Sequence, residues 1–188
     1  MQSLLGGVVY NHIIDDWFIS WESSRDYRHL CHQIKNHSWN NLLVVMFNPG
    51  SLSGDGSDLS KDTTLRILRE VCGEAKLNPF VINLFDYATP SPEVLFDNWS
   101  KKDSENLVFG KLAMSNFNAL IFAYGDYENG KHHCAAIKER QLVVRNALNS
   151  LTEIKLPRNK TGTPRHPMRW QREKIQPEIM ARLSDRIL

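Results

Sequence analysis

Hydrophobic positions gather into four short and almost unbroken runs: Leu42–Phe47, Phe80–Phe85, Ala119–Tyr124 and, more weakly, Leu151–Leu156. They are rich in Val, Ile, Leu and Phe and hardly alternate, the pattern of strands buried on both faces. Between them, apolar positions recur at helical spacing. Leu65, Leu68, Val71 and Cys72 share one face of a predicted helix over Thr63–Ala75, with Asp62 as its N-cap. Asp103 caps a second predicted helix running through Leu107, Leu112 and Met114, and Ala135–Leu148 reads as a third. This alternation predicts an α/β fold, a parallel sheet covered by helices on both sides. The stretch ahead of it, "VVYNHIIDDWFISWESSRDYRHLCHQI", fits either a strand pair or a strand leading into a helix. With no repeat or linker, one domain is expected over 1–188. It comprises a strand/helix extension over 1–40, an α/β core over 41–170 and a basic helix over 171–188.

In an open parallel sheet, ligands bind beyond the carboxyl ends of the strands. That rule picks out four loops: "NPGSLSGDG", "NLFDYATPSP", "YGDYENG" and "KTGTPRHPMRW". The first is the most pointed. A buried-looking strand ends on Asn48, which offers one acceptor and two donors, then Pro49, which fixes φ. Gly50 follows, and it lets a backbone pass close to a ligand. Asn-Pro-Gly is also an ordinary turn signal, so the motif alone leaves both readings open.

Composition narrows the class. With 41% hydrophobic and 23% charged residues over 188 positions, the chain has the make-up of a globular protein. No stretch approaches the roughly 20 apolar residues of a membrane span, and no signal pattern opens the sequence, so the cytoplasm is the expected address. Cys31, Cys72 and Cys134 are too few and too scattered for a metal knuckle or an iron–sulfur cluster, and read as free thiols. The net charge of +2 hides a basic C-terminal stretch. Lys155–Leu188 holds nine Lys or Arg against three acids, so it carries +6 and the preceding part −4. Such a block fits a phosphate- or nucleic-acid-facing surface, or simply a solvated one.

The order of the motifs adds to this. "VVMFNPG", "KDTTLRILRE", "VINLFDYATPSP", "ALIFAYGDYENG" and "KTGTPRHPM" together resemble a bacterial and phage family, the domain-of-unknown-function family numbered 1643, over roughly residues 40 to 170. That pattern in turn resembles the uracil-DNA glycosylase superfamily, through Phe47-Asn48-Pro49-Gly50, Val81-Ile82-Asn83-Leu84, Phe122-Ala123-Tyr124-Gly125-Asp126-Tyr127 and His166-Pro167-Met168. The resemblance implies a three-layer α/β/α fold around a mainly parallel four-stranded sheet. It implies N-glycosidic cleavage with Asn48 orienting a water and His166 donating to the base anion or the sugar face. Asn83 would read the base edge, Phe47 or Tyr127 would stack on it, and Gly50 and Gly125 would belong to the pocket wall with Pro49. The expected partner is DNA or a nucleotide, with no membrane and no cofactor or metal.

The sequence also departs from that superfamily. Met168 replaces the usual Ser, so a phosphate contact is missing or passes to Arg165 or Arg169. Met168-Arg169-Trp170 fits the loop that pushes a side chain into DNA, and Trp170 fits equally a core or lid residue. "KDTTLR", with Asp62, Thr63 and Arg66, has no glycosylase counterpart and points to a different substrate, such as a free nucleoside or nucleotide. A binding or sensing protein that keeps the pocket without turnover is the alternative. His29-x-x-His32 and His132-His133-Cys134 lack a third ligand at metal spacing. No nucleophile elbow, P-loop or dinucleotide-binding glycine pattern is present.

Overall fold

The structure is a computed structural model that describes residues 12–14, 16–21, 27–50, 62–99, 117, 119–127 and 133–185. Its centre is an open six-stranded sheet in the order β1-β2-β3-β5-β4-β6. The strands are β1 (His12–Ile14), β2 (Trp17–Trp21), β3 (Arg28–Gln33), β4 (Asn40–Met46), β5 (Leu77–Asn83) and β6 (Ala119–Phe122). Three of the apolar runs supply β4, β5 and β6, and these pair in parallel. The fourth run is reduced to one parallel bridge, Glu153 beside Leu120, rather than a full strand.

The ambiguous N-terminal stretch joins the same sheet. β1, β2 and β3 form an antiparallel ribbon whose last strand docks antiparallel on β5. The architecture is therefore mixed α/β, with a parallel half and an antiparallel half. Pro79 sits inside β5, where its missing N–H would break a two-sided ladder. The β3–β5 ladder extends only over Cys31–Val81 and His32–Phe80, so it stops just short of that proline.

Helices fill the connections. α1 (Thr63–Glu74) follows the predicted span closely, and Asp62 caps it by accepting from Leu65 N–H at 3.0 Å. α2 (Pro92–Asn98) carries Pro in its first turn behind a Ser91 cap, and α3 (Cys134–Ala147) matches the third predicted helix to within a residue at each end. The helix predicted from Asp103 lies outside the described residues. The loop read as "KTGTPRHPMRW" instead ends in a helix, α4 (Pro167–Arg172), because His166 caps it and proline at N1 fits a first turn. The basic tail supplies α5 (Gln176–Ser184).

Strand alternation divides the core in two. On one side Leu42, Val44, Met46, Val81 and Ile121 pack with Leu65, Leu68 and Val71 of α1, Trp170 of α4, and Ile179 and Leu183 of α5. On the other, Leu43, Val45, Phe47, Phe80, Ile82 and Phe122 pack with Leu95 of α2 and Ile137 and Val144 of α3. Trp170 is fully enclosed and its indole N–H donates to the Arg165 carbonyl at 3.1 Å, so it is a core residue. Cys31 and Cys72 are buried free thiols whose pKa burial pushes up to about 12. Among the described residues, no helix is long and apolar enough to cross a membrane.

Candidate functional site

Strand order reverses at β4: α1 leads from it to β5 on one side, while β6 lies on the other. A crevice opens beyond such a strand, and Asn48 follows β4 directly. Pairing continues past the strand ends and fixes this edge, through Leu84 N–H to Met46 O at 2.8 Å, Phe85 N–H to Phe47 O at 2.9 Å and Ala123 N–H to Val45 O at 2.8 Å.

Asn48 itself is tied down. Its Nδ2 donates to the Thr89 carbonyl at 2.7 Å and to the Pro49 carbonyl at 2.9 Å, while Thr89 N–H returns a bond to Pro49 O at 3.0 Å. The amino end therefore knots the Asn-Pro-Gly loop to the segment after β5, and Oδ1 is left as an acceptor. Pro49 is buried, and Gly50 is exposed. A Cβ built on Gly50 meets nothing within 4 Å, so no close approach among the described residues demands glycine there.

His166 is brought to the same edge by a pinned turn. Thr161 and Thr163 hydroxyls donate to Asp126 Oδ1 at 2.9 and 3.1 Å, and Asn159 Nδ2 donates to Thr163 Oγ1 at 2.9 Å. Gly162, at φ +84°, makes the turn possible. The "KTGTP" and "YGDY" loops are thereby fastened together. Gly125, at φ +85°, lies against the histidine: a Cβ there would come within 3.4 Å of His166 Cβ and 3.3 Å of Tyr127 Cε2. The His166 Nδ1 accepts from Met168 N–H at 3.3 Å, which assigns the remaining proton to Nε2. Burial lowers its pKa to about 4, partly opposed by the negative charge of Asp62.

A cleft of about 370 Å³ opens here, lined by Gly125, Asp126, Tyr127, Asn159, His166, Met168, Arg169 and Arg172. Tyr127 stacks on Phe47 at 4.1 Å between centroids, so that face of Phe47 is covered and the outer tyrosine face is the one on offer. Asn48 and Asn83 do not line this cleft; they stand at the ends of β4 and β5. Of the two arginines expected to meet phosphate, Arg169 is exposed on the cleft rim, 3.2 Å from Glu173. Arg165 is engaged elsewhere, by Glu173 at 2.7 Å and the Arg158 carbonyl at 3.0 Å. Asp62 is spent largely as a helix cap, with Thr63 the first residue of the helix it caps, and Arg66 pairs with Glu70 on the surface.

Asn83 is 4% exposed, and both its Nδ2 and Oδ1 are buried without a hydrogen bond among the described residues. On the same side of the sheet the fold places a residue that the sequence did not single out, with Trp21 as its strand partner where Asn83 has Met46. Arg28 is 3% exposed, and its Nε and Nη1 are likewise buried and have no hydrogen-bond partner among the described residues. The Trp21 ring centroid, 5.9 Å away, gives an attraction of roughly 0.5–2 kcal/mol. Burying an ion costs several kcal/mol, so that contact does not compensate. No signal in the sequence pointed to Arg28, because a single basic residue in a strand of unassigned pairing carries no pattern.

The histidines considered as metal ligands do other work. His29 Nδ1 pairs with Asp86 at 2.8 Å, and His32 is sandwiched between Phe18 and Phe80. His133 stacks on Phe96. Among the described residues, no three His, Cys, Asp or Glu side chains come together in a metal-holding group.

No curated protein sequence matches this chain. Three of the motifs that build the crevice, the Asn-Pro-Gly strand end, the Asn83 strand end and the loop that carries His166, lie within the stretch 28–168 over which the chain matches, and so belongs to, the family of unknown function DUF1643.

Proposed function

We propose that this protein is a glycosylase-like hydrolase that cleaves the N-glycosidic bond of a nucleobase, modified or damaged, in DNA or in a nucleotide. The observation that carries the reading is the state of His166. Its Nδ1 is occupied by the Met168 N–H and its pKa is depressed to about 4, so at neutral pH it presents Nε2–H as a neutral donor. A departing base gathers negative charge, and a donor fixed before the reaction stabilises that charge in the transition state.

The other residues take complementary parts. Asn48 holds the attacking water through Oδ1, the end of the amide that its two bonds to carbonyls leave open. Asn83 reads the base edge with one donor and one acceptor, both unspent. The base stacks on the outer face of Tyr127, and Arg169 and Arg172 meet phosphate at the cleft rim. The fold that goes with this reading is the three-layer uracil-DNA glycosylase arrangement, with the Leu151–Leu156 run, bridged to β6 at Glu153, in the place of a fourth parallel strand.

The test is single-turnover base release from single-stranded DNA, duplex DNA and free nucleotides carrying modified bases. Release should fall about 10²–10³-fold in His166→Ala, the loss typical of one preorganised donor. Binding without release from any substrate would sink the enzyme reading. It would leave a nucleotide- or nucleic-acid-sensing protein, which the structural engagement of Asn48 Nδ2 favours as the second reading.

A further inference from the structure

Arg28 and Asn83 leave the same face of the sheet at the carboxyl end of β5. β3 runs antiparallel to β5 with Cys31 opposite Val81, and Arg28 N–H donates to Asp86 O at 2.8 Å. These two pairings bracket Asn83 between them. The Arg28 guanidinium lies near Trp21, which shares a buried cluster with Cys31 and Val81. Asn83 comes two residues after Val81 in an extended strand, so its side chain departs on that side too. Asp62, whose charge acts on both Cys31 and His166, ties this corner to the histidine.

The unmet groups define the missing partner. Arginine cannot shed its charge on burial, and no carboxylate of the described residues reaches it as an ion pair. Asp62 is the nearby acid, but it faces the α1 backbone. What fits the Arg28 N–H donors and the Asn83 Nδ2 is an oxyanion, and Asn83 Oδ1 is left for an N–H or O–H of the ligand that carries it. We infer that Arg28 and Asn83 form a buried subsite for a carboxylate or phosphate carried by a small nucleobase-containing ligand. Both side chains are more than nine-tenths enclosed, which admits a terminal group and not a phosphodiester with chain on either side. The nucleobase part rests on the function proposed above; the oxyanion part does not.

The experiment reads binding without turnover. Inorganic phosphate and formate are titrated at constant ionic strength into the wild type, Arg28→Met and Arg28→Lys, by calorimetry and thermal shift. Saturable binding is expected in the wild type, weakened in Arg28→Lys and reduced at least 10-fold in Arg28→Met. The ligand-free Arg28→Met protein should melt no lower than wild type, since an uncompensated buried charge has been removed. Uridine, uridine 5′-monophosphate and 5-carboxyuridine then separate a sugar-borne phosphate from a base-borne carboxylate. The source is the anion whose advantage over uridine vanishes in Arg28→Met. Anion binding with no base release from any substrate supports the subsite and ends the glycosylase reading. Base release unchanged in Arg28→Met, with no saturable anion binding, overturns the subsite and spares that reading. A large fall in melting temperature with unchanged anion affinity also overturns it, marking Arg28 as a structural cation. So does competition for phosphate by an oligonucleotide with hydroxyl ends, because it would place a polymer at Arg28.

Discussion

Gly125 and His166 are fitted to one another: a Cβ on the glycine would sit 3.4 Å from that of the histidine, on a backbone already at φ +85°. Gly125→Ala therefore meets two penalties, a left-handed conformation costing about 1–2 kcal/mol and crowding against Tyr127 and His166. A lower melting temperature is expected, with ligand affinity or turnover reduced beyond what stability explains. Gly50→Ala is the control at the same edge, since a Cβ there meets nothing within 4 Å among the described residues. Its stability should stay within about 0.5 kcal/mol of wild type, as at open surface positions. Equal melting temperatures for Gly125→Ala and Gly50→Ala would show that the Gly125 contact does not constrain the site.

A second prediction concerns Asn48, where a turn reading and a catalytic reading meet in one side chain. Removing Nδ2 deprives two carbonyls of their donor, so Asn48→Ala should lose about 1–3 kcal/mol of stability. Asn48→Asp should be no milder, because a carboxylate oxygen would then face the Thr89 and Pro49 carbonyls. The check is chemical denaturation of both variants alongside base release. A fully stable Asn48→Asp would mean that the amide is not the knot of this loop.

The elements legible in the sequence were those whose signal is local. Asp62 announced its helix because a cap acts within three residues, and β4 and β5 announced themselves because burial on both faces leaves a continuous apolar run. The antiparallel ribbon was illegible for the opposite reason. β3 is buried along most of its length but carries Arg28, His32 and Gln33, so neither alternation nor an apolar run marked it, and β2 is a five-residue apolar stretch too short to tell strand from helix. Strand-end motifs located the candidate site. What Asn48 binds, and that Arg28 shares a sheet face with Asn83, depend on pairings over 41 residues of sequence or more, which no local pattern encodes.

Two histidines, His32 in the core and His166 half-buried at the cleft, contribute to the acid response of the fold. Burial lowers the pKa of His32 and of His166 from 6.5 to about 4. Below pH 6.5 the unfolded chain therefore takes up protons that the folded chain refuses, so stability falls as pH drops toward 4 and levels off below it. Each ring accounts for up to a few kcal/mol across that window. Denaturant midpoints at pH 7, 5.5 and 4.5 should decline in the wild type, and the decline should shrink in His166→Gln, leaving the His32 share. An unchanged decline in His166→Gln would place the His166 titration in the ordinary range.

The three arginines around α4 should separate in a salt titration. Arg169 and Arg172 are exposed at the cleft rim, whereas Arg165 is held by Glu173 and the Arg158 carbonyl. Only a side chain that meets a ligand phosphate releases counterion, at roughly 0.7 per phosphate on a single strand. Arg169→Ala and Arg172→Ala should each flatten the dependence of log affinity on log salt for ligands that carry more than one phosphate, with little change in melting temperature. Arg165→Ala should do the reverse, costing stability because it frees Glu173 and the turn that carries His166, while leaving the slope nearly intact. For a nucleoside monophosphate the wild-type slope should stay shallow, near one contact. A slope of several units with an oligonucleotide, abolished by the Arg169→Ala/Arg172→Ala double variant, would instead assign the rim to a polymer backbone.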